Sequence, residues 1–222
     1  MQSSAPLVNV PAGTQPPKFA EHFATLDVQN HAARLGMWLF LSTEILLFAG
    51  LFACYAFYRF TFPEAFAQGS RHLDLMMGTV NTIVLITSSF TAAMAVHYAK
   101  TSNNKMVTLM MGLTLAMAMG FLVIKAFEYG HKFEEGTLPG QYYTSQSIQV
   151  PGITLFFTVY FLSTGLHAFH VIIGMIVLAW VMSRSMKNHF NHANYTAVEL
   201  GSMYWHLVDL VWIFLFPMLY LI

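Results

Sequence analysis

A single acidic residue, Glu44, lies in the middle of an apolar stretch, and it is the feature that most constrains what this chain can fold into. No other Asp, Glu, Lys, Arg or His occurs between Arg34 and Arg59. If the stretch is helical, a rise of 1.5 Å per residue places Glu44 roughly 15 Å from Arg34, near the midplane of a hydrocarbon core about 30 Å thick. An acid at that depth is costly, which makes Glu44 a candidate functional residue.

The composition indicates an integral membrane protein. Apolar residues make up 56% of the 222 residues, whereas Asp, Glu, Lys and Arg together make up 9%. Five apolar segments are long enough to cross a membrane as helices, and the sequence lacks the alternating pattern of a membrane barrel. We therefore predict an all-α fold, an integral membrane bundle of five transmembrane helices over residues 34–58, 73–98, 106–129, 151–183 and 196–222.

The first thirty or so residues differ in composition from the rest. Proline and small polar residues are frequent there, with too little apolar surface for a core. We predict a mobile polar tail over residues 1–31 and a five-helix transmembrane domain over residues 32–222. The first span lacks the flanks of a removable signal peptide, so we expect it to be retained. A lone cysteine, Cys54, excludes an internal disulfide.

The positions of Lys and Arg predict the orientation of the chain. Basic residues near the span ends are more numerous on one side, so the positive-inside rule places the N-terminus in the cytoplasm and the C-terminus outside. The richer side holds Lys18, Arg34, Lys100, Lys105, Arg184 and Lys187, and the other side holds Arg59, Arg71 and Lys132. Ten basic and ten acidic residues leave no net charge, and nothing indicates a nucleic acid partner.

Helix periodicity predicts what surrounds Glu44. Its own face is bulky and apolar, whereas the opposite face carries small residues. Small residues let helix backbones approach closely, so we expect the small face to form the helix contact and the bulky face to line a pocket or cleft. The bulky face holds Met37, Phe40, Phe48, Leu51 and Tyr55, and the small face holds Thr43, Ala49, Gly50 and Ala53.

Two other predicted spans carry polar groups at membrane depth. His167 and His170 are three residues apart and share a helix face, and Glu199, His206 and Asp209 fall on one side of the last helix. Such residues form either an interhelical polar network or a set of metal ligands. The complete carboxylate and Glu-x-x-His set of a paired-metal bundle is missing, so we favour the intramembrane polar network and predict no metal site.

A third polar group lies near a span end. Lys125 and Glu128 are one helical turn apart, beside Tyr129. We predict an interfacial ion pair next to an aromatic anchor.

The order of several motifs resembles subunit III of the haem–copper cytochrome c oxidases. The resemblance covers nearly everything after Arg34, and the motifs together are far more specific than any one alone. They are GMWLFLSTEILLFAGLF at 36–52 and on to Tyr55, Asn81-Thr82 with Ser88-Ser89, Glu128-Tyr129, TGLHAFHVIIG at 164–174 and YWHLVDLVW at 204–212.

The resemblance implies a subunit without a redox centre of its own. Haem and copper are then expected in partner subunits, with this chain bound directly to subunit I, near subunit II, and holding phospholipid. It also implies support for proton uptake and protection from turnover inactivation in a bacterial inner membrane. Glu44 occupies the position of the family's buried carboxylate beside a lipid cleft. This chain resembles the shorter, five-helix form, which lacks the two helices that form one wall of that cleft.

Three other interpretations remain open at this point. Quinol oxidases and nitric-oxide reductases have related subunits, so the electron donor is less secure than the family. His167 and His170, with His189 and His192, are compatible with a histidine-box membrane metalloenzyme. A proton or ion carrier built on Glu44 is the third alternative, although no internal repeat or interrupted helix supports it.

Overall fold

The computed structural model describes residues 23, 25–145, 149–192 and 194–222, and six helices account for most of them. Five of the six are long and apolar enough to cross a membrane, which confirms the predicted all-α membrane fold. The helices are α1 (Leu26–Thr61), α2 (Pro63–Arg71), α3 (Leu75–Lys100), α4 (Asn104–Glu134), α5 (Ile153–Met186) and α6 (Thr196–Tyr220), with a 3-10 turn at Gly140–Tyr142 between α4 and α5.

The first helix begins earlier than the sequence predicted. The Thr25 side chain accepts a hydrogen bond from the backbone N–H of Val28, and Asp27 places an acid in the first turn. Both features stabilise a helix N-terminus, so they favour a start at Leu26. Residues 26–31 of the predicted polar tail are therefore helical. The remainder of the predicted tail, residues 1–22 and 24, lies outside the described residues.

The short helix α2 was not predicted. Pro63 occupies its first turn, where a missing N–H costs nothing, and Glu64 adds an acid near the N-terminal end. Phe66 is fully buried, and α2 approaches α5 so closely that a Cβ on Gly69 would overlap the ring of Phe156. The helix therefore closes one end of the bundle instead of forming a simple loop.

Four of the long helices form a ring in which neighbours in space are α3 with α4, α4 with α5, α5 with α6, and α6 with α3. Helix α1 packs on the outside of this ring, against α5 and α6. Aromatic side chains fill the interior, and the largest fully buried ones include Trp205, Trp212, Tyr160, Phe121 and Phe156. Dense packing of this kind leaves the outer faces of the helices to contact lipid or partners.

Contacts between the loops show which helix ends lie together. Asn104 donates from its Nδ2 to the carbonyl of Phe190 at 2.8 Å, which joins the start of α4 to the loop before α6. At the same end, Arg34 and Lys100 both approach Tyr195. Lys132 donates to the carbonyl of His72 at the opposite end. The described basic residues therefore divide between two ends as the sequence predicted, and which end is cytoplasmic stays a prediction.

Candidate functional site

Glu44 contacts a histidine of another helix. Its Oε2 lies 2.8 Å from Nε2 of His170 on α5, and the Nδ1 of the same ring is 2.8 Å from the carbonyl of Leu166. The Glu44 side chain is 16% exposed and that of His170 8% exposed. The ring of Phe48 packs edge-on against the His170 ring at 5.1 Å. The acid is therefore paired across a helix contact, and the imidazole is fixed from both sides.

The two faces of α1 are used in the opposite way to the prediction. Phe48 and Tyr55 on the Glu44 face are buried against the bundle, and the Tyr55 hydroxyl donates to the backbone carbonyl of Met218. The small face is exposed, and a Cβ on Gly50 would meet nothing within 4 Å. Aromatic burial and the carboxyl–imidazole pair stabilise the bulky face against α5 and α6.

The two histidines of α5 have different surroundings despite their spacing. His167 is fully buried between the rings of Phe121 and Trp212, whose centroids lie 5.5 and 5.1 Å from its own. Neither ring nitrogen of His167 has a hydrogen-bonding partner among the described residues. His170 faces α1 instead, as its contact with Glu44 shows. The two imidazoles therefore do not act together.

The polar residues of α6 also separate. Glu199 accepts two hydrogen bonds from Arg34 of α1, at 2.8 and 3.0 Å, and the Nδ1 of His206 lies 2.6 Å from the hydroxyl of Ser89 on α3. Asp209 is 3% exposed, and its carboxyl oxygens have no partner of hydrogen-bonding geometry among the described residues. The single network predicted for His167, His170, Glu199, His206 and Asp209 is therefore wrong as one unit. His170 and Glu199 contact α1, His206 and Asp209 lie beside α3, and His167 packs against aromatic rings of α4 and α6.

The ion pair of Lys125 and Glu128 is buried, not interfacial. Lys125 Nζ lies 3.0 Å from Glu128 Oε2 and donates to the Tyr220 hydroxyl at 2.8 Å, while the Tyr160 hydroxyl donates to Glu128 Oε1 at 2.7 Å. The Tyr220 hydroxyl also donates to Glu128, and the ammonium group lies 5.0 Å from the Trp212 ring centroid. Three helices supply these groups, so the cluster locks α4, α5 and α6 together.

Tyr129, predicted as an interfacial anchor, also contacts the bundle. Its hydroxyl lies 2.6 Å from the hydroxyl of Thr164 on α5, and its ring packs against Phe161 at 5.0 Å. Because the Tyr129 hydroxyl has its hydrogen-bonding partner inside the bundle, it does not anchor the helix at the membrane–water interface. The residue belongs to the α4–α5 contact.

A groove opens where the end of α1 meets α2 and the end of α6. It has a volume of about 660 Å³ and is lined by Tyr55, Ala56, Arg59, Phe60, Pro63 and Met218. Among these lining residues, Arg59 alone carries a formal charge. Apolar walls with a cation at the membrane boundary suit the acyl chain and phosphate of a phospholipid.

The described residues hold no group of three or more His, Cys, Asp or Glu side chains that could bind a metal together. The histidines of the bundle are instead separated by packing, since His167 faces aromatic rings and His206 faces Ser89. What these groups can do chemically is join helices by hydrogen bonds and hold one buried charge pair.

The sequence model of the family described as cytochrome c oxidase subunit III matches residues 20–222. A protein named cytochrome c oxidase subunit 3 from Corynebacterium diphtheriae is 37% identical over 205 residues, covering 91% of this chain and 93% of its own length. One of the same name from Synechocystis is 33% identical over 188 residues, covering 84% of this chain and 74% of its own length. A probable quinol oxidase subunit 3 from Staphylococcus saprophyticus is 27% identical over 203 residues, covering 89% of this chain and 94% of its own.

Proposed function

Because this chain belongs to the cytochrome c oxidase subunit III family, we propose that it is a non-redox accessory subunit of a bacterial terminal cytochrome c oxidase. The chain is a multi-pass membrane protein, with five helices of membrane-spanning length. In the proposed complex it packs directly on subunit I, lies near subunit II, and resides in the cytoplasmic membrane. Haem and copper belong to the partner subunits.

The observation that carries the non-redox assignment is the packing of His167. It is the fully buried histidine at the centre of the ring of helices, and in haem proteins such a residue is a candidate axial ligand. Here the rings of Phe121 and Trp212 lie against it, with centroids within 5.5 Å. These rings occupy the space beside the His167 imidazole that a haem would need. Their packing supports a structural role for the bundle and argues for redox centres in other subunits.

The accessory role has two physical parts. The pairs Glu44–His170 and Arg34–Glu199 hold α1 on the outside of the ring, so the exposed face of α1 is a rigid surface for lipid or a partner. The groove at Arg59 is suited to phospholipid. We infer that bound lipid and a rigid bundle beside subunit I support proton uptake and delay inactivation of the oxygen-reducing site during turnover.

Cytochrome c is the proposed electron donor, and quinol is the second candidate. Relatives named cytochrome c oxidase subunit 3 are 31–37% identical to this chain, whereas those named probable quinol oxidase subunit 3 are 26–27% identical. The purified complex should consume oxygen with reduced cytochrome c. Consumption with a quinol and none with cytochrome c would favour the second candidate.

Purification through an affinity tag on this chain tests the proposal. We expect a membrane complex with haem absorption, and after mild dissociation the haem, copper and iron should remain with the other subunits. The separated chain should carry no stoichiometric iron, copper or zinc. One metal per chain, lost in a His167→Ala variant, would contradict the proposal and favour a metalloenzyme.

A further inference from the structure

A notch on the outer surface of the bundle, between α3 and α6, carries polar groups at the middle of both helices. It has a volume of about 380 Å³, and its polar lining comes from Ser89, His206 and Asp209. Its rim is apolar and exposed, with Ile86, Phe90 and Leu210 each half exposed or more. Asp209 is near the centre of α6 and Ser89 near the centre of α3, so the notch lies at the membrane midplane.

The carboxyl group of Asp209 is the unusual element. Three other acids of the long helices have partners within the chain: Glu44 has His170 and Glu128 has Lys125, while Glu199, in the first turn of α6, has Arg34. Asp209 lies beside Ser89, whose hydroxyl is 2.6 Å from the Nδ1 of His206. Its carboxyl oxygens have no partner of hydrogen-bonding geometry among the described residues. An unpaired acid at this depth is costly. Both carboxyl oxygens are covered by the chain itself, so a partner from outside pairs with the acid once the Asp209 side chain turns toward the notch.

Lipid is a poor occupant of this notch. Phospholipid head groups lie at the membrane surface, roughly 15 Å from the midplane, and only acyl chains reach this depth. Acyl chains offer no hydrogen bond to Asp209. A transmembrane helix satisfies both requirements, because its apolar side chains cover the rim and one Ser, Thr, Asn, Gln, His or Trp reaches the carboxyl group.

We propose that the notch formed by Ser89, His206 and Asp209 binds a transmembrane helix of a neighbouring oxidase subunit, which inserts one hydrogen-bonding side chain toward Asp209. This inference rests on the proposed function, in which such a neighbour exists. It adds a contact surface on the α3–α6 side of the ring, separate from the exposed face of α1. The partner helix then pairs with Asp209, the buried acid that lacks a hydrogen-bonding partner among the described residues, and Asp209 sets the depth at which the two subunits meet.

Site-specific photo-crosslinking in the assembled complex tests the surface. A photoreactive phenylalanine analogue replaces Leu210 at the rim of the notch, and a matched control carries it at Met119 of α4. Both positions are near the centre of a span and half exposed, at 50% and 53%, and α4 lies across the ring from α6. We expect a protein adduct, identified by mass spectrometry as an oxidase subunit, from position 210 and none from position 119.

Two substitutions at Asp209 test the polar contact. Asp209→Asn keeps hydrogen bonding and should leave the chain in the complex through detergent washing. Asp209→Leu removes it and should lower the retained fraction of this chain roughly five-fold. The full chain with Asp209→Leu should keep its helical content, because the Asp209 carboxyl oxygens have no partner of hydrogen-bonding geometry in the part of the chain that the structure describes. Loss of helical content would show that Asp209 serves the fold itself and would overturn the proposal.

The outcomes separate this inference from the proposed function. If haem co-purifies with the tagged chain but position 210 gives only lipid adducts, or only position 119 reaches a protein, the subunit assignment stands and the notch proposal falls. Equal retention of wild type and Asp209→Leu has the same meaning. If no haem co-purifies with the wild-type chain, the proposed function fails and this inference fails with it.

Discussion

Glu44 of α1 and His170 of α5 are joined by a 2.8 Å contact between Oε2 and Nε2, and this pair fixes the outermost helix to the ring. The contact explains how an acid persists near the membrane midplane. It also places the imidazole between the carboxyl group and the Leu166 carbonyl, so His170 is oriented by two groups.

The first prediction concerns the energy of this pair. In a cycle of Glu44→Gln, His170→Ala and the double variant, we expect a coupling free energy of about 1 kcal/mol, the scale of interhelical hydrogen bonds in membrane proteins. Titration of the purified chain with a denaturing detergent, followed by circular dichroism, measures it. The same cycle on Glu44 and His206, which do not touch, is the control. Additive effects at Glu44 and His170 would contradict the contact.

The second prediction concerns the buried cluster around Lys125. Lys125→Met leaves Glu128 without its cation among the Tyr160 and Tyr220 hydroxyls, and should destabilise the chain by about 3 kcal/mol. Adding Glu128→Gln removes the uncompensated charge and should restore part of that loss. Lys105→Met, at an exposed lysine, is the control and should have little effect. The same detergent titration decides it, and equal stability of Lys125→Met and wild type would refute the cluster's role.

The residues around Lys125 show how far the sequence alone can reach. The i, i+3 spacing of Lys125 and Glu128 predicted their pairing correctly, because that spacing is fixed by one helix. Their burial could not be read from spacing. It depends on Tyr160 and Tyr220, which are 35 and 95 residues away from Lys125 along the chain and meet it only after the helices pack.

The same limit explains the outcome at the polar residues of the other spans. Number, type and approximate extent of the spans follow from hydropathy and were confirmed. Arg34 and Glu199 both lie near the beginning of a span on the same side, so their contact was open to prediction from the alternation of spans. The helix that His170 faces could not be predicted, because the sequence does not state which helices are neighbours. Helix α2 was missed because its nine residues carry no spanning signal.

The third prediction concerns lipid. Arg59→Gln removes the cation from the groove at the end of α1, and we expect the purified complex to lose about one anionic phospholipid per copy, since a cation beside an apolar groove holds a phosphate by charge. Arg71→Gln is the matched control, because Arg71 is also exposed and lies outside the residues that line the groove. Lipid mass spectrometry gives the count. Equal lipid content in the wild type and both variants would show that the groove at Arg59 does not bind anionic phospholipid.

The fourth prediction is the orientation, from the excess of Lys and Arg at one end. A reporter enzyme that is active only in the cytoplasm should be inactive when fused after Ile222, and active when fused after Lys187, in the loop that precedes α6. Activity after Ile222 would reverse the predicted orientation.

Loss of activity during turnover tests the central claim most directly. Oxygen consumption is followed in the wild-type complex, in a complex with Glu44→Ala, and in the complex depleted of this chain. We predict that depletion leaves a substantial initial rate but makes activity decay faster during sustained turnover, and that Glu44→Ala, which leaves a void beside Phe48 and removes the partner of His170, does so to a smaller extent. Re-addition of the chain should restore the slower decay. An immediate and complete loss of the initial rate on depletion, with the haem spectrum intact, would mean that this chain carries an obligatory step, and would contradict its assignment as an accessory subunit.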